Sequence, residues 1–243
     1  MPNSKTFACA HRGESSRFRE NTIIGIQSAI DAGAQVVEID VRISRDGKVI
    51  VLHDSNLERL WGISKESTEM DWSEISQLGS NQDRIPLLID VLKLFIGTKA
   101  ILMIDMEQED PAKQAYQVVS SGALAEDQIF WCGNFEGMKT IRSLSSKARI
   151  WMPWDKLALP TKAETDVLKP EFINLHYSFV TEISVTAMHE AGFKVAVWTI
   201  DDEATMRWAA ASSAGSTPIS ARPSIGPTAC GVVSRPPNMP RPM

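Results

Sequence analysis

Residues able to move protons and to hold charge fall at the ends of β-rich runs. His11-Arg12-Gly13 follows the run Thr6–Ala10, and His53-Asp54 closes the run Val49–Leu52. Histidine is the side chain best suited to proton transfer near neutral pH. Arginine presents a rigid fork of donors that matches a phosphate. Read alone, His-Arg-Gly is also an ordinary turn after a strand, and a lone His at a strand end is also a structural hydrogen-bonding residue. Together the two histidines suggest an acid–base couple. Between them lies Glu38-Ile39-Asp40. Strand side chains alternate faces, so Glu38 and Asp40 point one way and Val37, Ile39 and Val41 the other. Two carboxylates on the inner face of such a strand are costly when unpaired. A hard divalent cation, Mg²⁺ or Ca²⁺, would relieve that cost; salt bridges to Arg or Lys of a neighbouring strand would also relieve it. Ile104-Asp105-Met106-Glu107 repeats the alternation later in the chain, with Asp105 and Glu107 on one face. Trp198 lies in the late apolar run Val195–Thr199. It is either core packing or an apolar wall at the mouth of a site.

These residues need a scaffold that brings strand ends together. Strand-like runs recur at Thr6–Ala10, Gln35–Ile43, Lys48–His53, Lys99–Asp105, Gln128–Cys132, Arg149–Pro153, Phe172–Leu175 and Phe193–Thr199. Amphipathic stretches separate them, at Asn21–Ala32 (with Asn21 as a cap), Leu88–Ile96, Pro111–Ser121, Phe135–Leu144, Thr181–Ala191 and Asp202–Ala211. This alternation predicts a parallel sheet covered by helices. About eight such units close a TIM (β/α)₈ barrel, whose C-terminal strand ends form the active-site face. The rival is an open doubly wound sheet, weakened by the lack of a Gly-x-Gly-x-x-Gly after the first strand. Asp46-Gly47 signals a hairpin. Residues 55–84, with Trp61 and Trp72, break the rhythm and read as a small insertion after the second barrel unit, of the kind that shapes a substrate entrance.

The 243 residues are expected to form a single domain, 1–243. From Ala209 onward the composition shifts to Ala, Ser, Pro and Gly, with more than half of the chain's 13 prolines. Such a segment buries too little apolar surface to offset its ordering entropy. Elsewhere the mixture is globular, with 43 % hydrophobic and 23 % charged residues. A formal net charge of −5 with no basic stretch argues against nucleic acid as a partner. No apolar run is long enough to span a bilayer, and the first residues lack the apolar core of a signal peptide. Three sparse cysteines, Cys9, Cys132 and Cys230, read as reduced thiols and predict a cytoplasmic location.

Taken together, His11-Arg12-Gly13, Glu20-Asn21-Thr22, Glu38-Ile39-Asp40, Asp46-Gly47, His53-Asp54, Ile85-Pro86-Leu87-Leu88 and Val197-Trp198-Thr199-Ile200-Asp201-Asp202 resemble the glycerophosphodiester phosphodiesterase family in order and spacing. The resemblance covers about residues 7–208. It implies a TIM barrel that hydrolyses small-molecule phosphodiesters of glycerol, or related sugar phosphodiesters, with a divalent cation, Mg²⁺ or Ca²⁺. It further implies His11 and His53 as the acid–base pair, Glu38, Asp40 and Asp105 as metal ligands, Arg12 at the phosphate and Trp198 lining the substrate. In the family a substrate hydroxyl attacks phosphorus, and water then opens the cyclic phosphate.

Two departures stand out. The family shows Ile-Glu-x-Lys where this chain has Ile104-Asp105-Met106-Glu107, so an anion replaces a phosphate-binding cation. Glu107 is expected to join the metal shell or to be held by Arg12 or Arg42; the metal-shell role is favoured. The family's last strand, roughly Gly-Val-Asp-Gly-Ile-Ile-Thr-Asp-x-Pro, is replaced here by Gly215-Ser216-Thr217-Pro218-Ile219. Codons for Ala214–Ile219 read two bases out of frame can encode Gly-Val-Asp-Ser, which predicts a frameshift near Ala211–Gly215. A divergent tail with Ile219–Pro223 as a shortened last strand is the other reading. Glu107 and the tail favour a catalytically weak phosphate-ester binding protein on the same barrel. The two histidines and the Glu38/Asp40 pair favour an enzyme.

Overall fold

The computed structural model describes residues 7–122, 124–200, 204 and 219–221. Its strands are β1 (Ala8–His11), β2 (Val36–Ile43), β3 (Val49–Val51), β4 (Gly79–Ser80), β5 (Asp83–Arg84), β6 (Ile101–Met106), β7 (Ile129–Gly133), β8 (Arg149–Trp154), β9 (Phe172–His176), β10 (Lys194–Trp198) and β11 (Ile219–Ala221). The helices are α1 (Ile23–Asp31), α2 (Glu58–Trp61), α3 (Trp72–Ile75), α4 (Leu88–Phe95), α5 (Ala112–Ser121), α6 (Phe135–Leu144), α7 (Lys162–Leu168) and α8 (Glu182–Glu190). Strands β1, β2, β6, β7, β8, β9, β10 and β11 pair in parallel in that order, and β11 pairs back onto β1. The ring is closed, as a TIM barrel requires.

The strand-like runs and the staves differ in one place. Lys48–His53 is one of the eight strand-like runs, but β3 pairs antiparallel with β2, outside the ring, as the hairpin signal at Asp46-Gly47 implies. Segment 44–48 is too short for the crossover that a parallel neighbour needs. It turns instead through Asp46-Gly47, with Gly47 at φ +75° and its N–H donating to Ser44 O at 2.9 Å. The eighth stave is β11, in register with β1 at Ala8↔Ile219. Residues 55–84 therefore stand inside the second barrel unit, between β3 and α4, rather than after it. They carry an apolar cluster in which Leu57, Met70 and Ile75 pack with Ile50, Leu52 and Ile85.

Each barrel strand has two apolar destinations. Outward residues such as Val37, Ile39, Leu102 and Ile104 pack under the helices with Ile26, Val91, Leu92 and Phe95. Inward residues Cys9, Val36, Met103, Phe130, Trp151 and Phe172 fill the barrel interior. Trp151 and Phe172 lie 4.5 Å apart between ring centroids, and Phe130 is 5.0 Å from Trp151, forming an aromatic floor. Burying rings of this size contributes about 2 kcal/mol or more apiece. The acids of β2 and β6 lie farther along the same inward faces.

Two helix details depart from expectation. Thr22, not Asn21, caps α1, its hydroxyl accepting from Gly25 N at 3.4 Å. Helix α7 was not anticipated, although Thr161 and Glu164 form the capping box that marks its start. The expected helix Asp202–Ala211, apart from Ala204, and the expected frame change at Ala211–Gly215 lie outside the described residues. Among the described residues no helix is long and apolar enough to cross a membrane.

Candidate active site

The site is set by register. Parallel pairing places His11 opposite Glu38, and Asp40 opposite Asp105. Three acids from adjacent staves thus meet at the C-terminal end of the barrel, beside the first histidine. His11 Nε2 lies 4.0 Å from Glu38 Oε2.

After β1 the chain turns through Arg12 (φ +60°) and Gly13 (φ +76°). A Cβ on Gly13 would meet the Gly25 carbonyl carbon at 2.7 Å, so only glycine lets α1 pack this closely. The turn aims Arg12 back at the acids. Its N–H donates to Glu38 Oε2 at 2.8 Å, its Nη1 donates to Glu20 Oε1 at 2.9 Å, and its Nε pairs with Asp40 Oδ2 at 3.2 Å. Asn21, also at φ +60°, grips Asp40 from two sides. Its Nδ2 donates to Asp40 Oδ2 at 2.7 Å, and its Oδ1 accepts from Asp40 N at 3.2 Å.

His53 is held at both ring nitrogens. Nδ1 lies 2.7 Å from Asp54 Oδ1, and Nε2 lies 2.9 Å from Glu107 Oε1. Arg42, buried at the end of β2, donates from Nε to His53 O at 2.7 Å, and its Nη2 reaches both His53 O and Glu107 Oε2. Glu107 was expected either in a metal shell, the favoured role, or held by Arg12 or Arg42. The second arrangement is found: it is paired with Arg42 and with His53, its side chain half exposed beyond the acids. The chain runs past the end of β6 before reaching it, which takes Glu107 out of the buried row.

Burial and mutual repulsion push the acids toward their neutral forms. Glu38 is raised well above the usual carboxylate range by burial, then by Asp40 and Asp105, with Arg12 opposing. Asp105 is pushed up to about 7 by burial and by Asp40, and a hydrogen bond from Cys132 opposes that shift. Asp40 is raised by burial, against Arg12. Arg12 thus brings a cation into direct contact with both Glu38 and Asp40. Among the described residues, no three His, Cys, Asp and Glu side chains are drawn together as a ready ligand shell. The donor set of Glu38, Asp40 and Asp105 nevertheless fits a hard divalent cation: all oxygen, buried or partly buried, and short of positive charge.

These groups line one face of a cavity of about 580 Å³. The opposite face is apolar, with Phe135, Met152, Trp154, Leu168 and Trp198. Trp198 Nε1 donates to Asn174 O at 3.0 Å, which fixes the indole at the wall. His11, Arg12, Glu38, Asp40, His53, Asp105 and Trp198, all singled out in the sequence, share this cavity. Sequence reasoning assigned no role in the site to Glu20 or Asp54 and read Asn21 only as a helix cap, although each stands in a recognisable motif. It missed Arg59 and Asn174, which carry no local signal.

The chain matches the glycerophosphoryl diester phosphodiesterase family over residues 11–214. It belongs to that family. The family's members are phosphoric diester hydrolases. Among curated relatives, a glycerophosphodiester phosphodiesterase of Caldanaerobacter subterraneus subsp. tengcongensis is 24 % identical over 225 residues, covering 83 % of this chain and 88 % of the relative. An uncharacterized protein of Bacillus subtilis, YqiK, is 34 % identical over 107 residues, which is 40 % of this chain and 44 % of that one. The fold is shared with an Oleispira antarctica phosphodiesterase solved with the product sn-glycerol-3-phosphate, at TM-score 0.81 and 21 % identity, over 89 % of this chain and 92 % of that one.

Proposed function

We propose that this glycerophosphodiester phosphodiesterase hydrolyses a glycerophosphodiester, or a related sugar phosphodiester, to an alcohol and glycerol 3-phosphate. In this reading His11 and His53 transfer the protons. Glu38, Asp40 and Asp105 hold a divalent cation, Mg²⁺ or Ca²⁺. The observation that carries it is the meeting of both histidines, Arg12, the buried Glu38 and Asp40 and the partly buried Asp105 in the lining of one cavity.

The reaction breaks one P–O bond to the alcohol and forms one P–O bond to the attacking oxygen. One group must take the attacking oxygen's proton, and another must deliver a proton to the leaving alcohol. His11, the last residue of β1, and His53, just beyond β3, face the same cavity from two different elements, which suits that division. Arg12, fixed by Glu20 and Asp40, brings a positive charge to the phosphoryl group. When bound, the cation supplies Lewis-acid charge for the phosphoryl oxygens. Asp54 orients His53 through Nδ1. Trp198 and the apolar face shield the site from water and receive the uncharged part of the substrate. Cys9 and Cys132 are buried thiols that are not joined in a disulfide, which supports the cytoplasm as the compartment.

The deciding experiment is release of choline or glycerol 3-phosphate from glycerophosphocholine, with and without EDTA, extended to a panel of glycerophosphodiesters and sugar phosphodiesters. Turnover lost on chelation and restored by Mg²⁺ or Ca²⁺ is expected. Binding of glycerol 3-phosphate without turnover of any diester would instead make the chain a binding protein.

A further inference from the structure

Arg59 belongs to α2, in the segment inserted between β3 and α4, outside the cavity lining described above. Its guanidinium is wedged between two carboxylates. Nη2 donates to Glu20 Oε1 at 2.6 Å and to Asp54 Oδ1 at 2.9 Å. Nε donates to Asp54 Oδ2 at 2.6 Å, and Nη1 donates to Glu20 Oε2 at 3.3 Å. The two oxygens that share Nη2 are the same two that hold the reactive side chains. Glu20 Oε1 accepts from Arg12 Nη1 at 2.9 Å, and Asp54 Oδ1 lies 2.7 Å from His53 Nδ1. One nitrogen therefore joins the loop after β1 to the loop after β3.

We infer that Arg59 is a positioning residue that sets the placement of Arg12 relative to His53, through Glu20 on one side and Asp54 on the other. A planar fork suits this task, because it engages two carboxylates in fixed directions, whereas an ammonium is a point charge. Without Arg59 each carboxylate loses its outer anchor. Glu20 and Asp54 then become free to turn toward solvent. The inserted segment thereby gains a role beyond shaping an entrance: it ties the phosphate-binding arm to the proton-transfer arm.

A second contact docks α2 on the same loop without touching either carboxylate. Arg19 stacks on Trp61 at 4.3 Å from the ring centroid, reaches Leu60 O and pairs with Asp83 Oδ1 at 3.2 Å. It supplies the control for a purely structural role.

The inference rests on the proposed function for its kinetic arm only. With glycerophosphocholine and added Mg²⁺, Arg59→Gln is expected to lose on the order of 10²-fold in kcat/KM, the cost of a misplacement of about 1 Å. Arg59→Lys is expected to remain impaired, and Arg19→Ala to keep wild-type kcat and KM. Adding Asp54→Asn should cost less in the Arg59→Gln background than in the wild type. Equal losses in Arg19→Ala and Arg59→Gln, full recovery in Arg59→Lys, or additive effects with Asp54→Asn would each overturn the inference. The structural arm needs no activity. In a crystal structure of Arg59→Gln, the Glu20–Arg12 and Asp54–His53 contacts are expected to part; finding both unchanged would overturn the inference. If the wild type turns over no diester, the functional reading fails and the structural arm alone decides the role of Arg59.

Discussion

His53 Nε2 stands 2.9 Å from Oε1 of Glu107, whose other oxygen is held by Arg42. An anion therefore covers the imidazole nitrogen that faces the cavity, while Asp54 occupies the other. Glu107→Ala is expected to leave metal affinity unchanged and to lower kcat, because His53 loses one of its two side-chain anchors. Glu107→Lys places a cation against Arg42 and should impair turnover further. Calorimetric titration of Mg²⁺ with parallel steady-state kinetics tests both. A fall in metal affinity would return Glu107 to the metal shell, and a faster enzyme would show that it only obstructs.

Loss of either histidine should remove turnover without unfolding the chain. His11 and His53 lie outside the apolar clusters, so truncation leaves no core cavity. General acid–base groups contribute about 10²–10⁴-fold, and both transfers are required. Circular dichroism of His11→Ala and His53→Ala should match the wild type while activity is lost. Near-normal turnover in one variant would remove that residue from the chemistry.

Neutralising an acid should separate stability from function. Asp105 is partly buried and pushed up to about 7 by desolvation and by Asp40. Asp105→Asn removes a repelling charge, so the metal-free protein should melt at a higher temperature. The same change should abolish the rise in melting temperature on adding Mg²⁺ or Ca²⁺. Thermal scans with and without cation read both effects. A variant still stabilised by the cation like the wild type would exclude Asp105 as a ligand.

Acid sensitivity should report the Asp54 clamp. Hydrogen bonding from Arg59 holds Asp54 at about 2, below its ordinary 3.8. A carboxylate depressed in the folded state stabilises the fold fully above its unfolded value, and that stabilisation fades as pH falls through the folded value. The stability gap between wild type and Asp54→Asn should therefore shrink from about pH 5 to about pH 2. Urea unfolding midpoints across that range measure it. A gap that stays constant or widens would contradict the assignment.

The tail calls for sequencing rather than mutagenesis. We propose a change of reading frame near Ala211–Gly215, supported by a family match that ends at residue 214. Resequencing the locus should reveal a family-like Gly-Val-Asp continuation in another frame. Its absence in every frame would make residues 215–243 a divergent tail that supplies β11.

The inward acids were legible because β-strand alternation is local: Glu38, Asp40 and Asp105 needed only their neighbours to be placed on one face. The α5 and α6 boundaries were legible for the same reason. The apolar run of β3 looks identical in a parallel and an antiparallel pair; only the Asp46-Gly47 turn before it, legible as a hairpin signal, distinguishes them. Arg59 was not legible at all. Its role depends on two carboxylates at positions 20 and 54, brought together by the closed barrel, and nothing near it in the chain announces that meeting. Asn21 was read as a helix cap, the common use of that residue. Its real partner, Asp40, lies 19 positions away.

Phe7, Phe130, Trp151 and Phe172 plug the barrel beneath the acids, which makes the cavity a dead-end shaft. In the proposed reaction, cation, substrate, water and the departing alcohol would all pass above that floor, in the cavity that His53 and the indole of Trp198 both line. Traffic in such a shaft is sequential. Whatever binds deepest leaves last, so an ion seated among Glu38, Asp40 and Asp105 would stay through many turnovers while the organic products exchange above it.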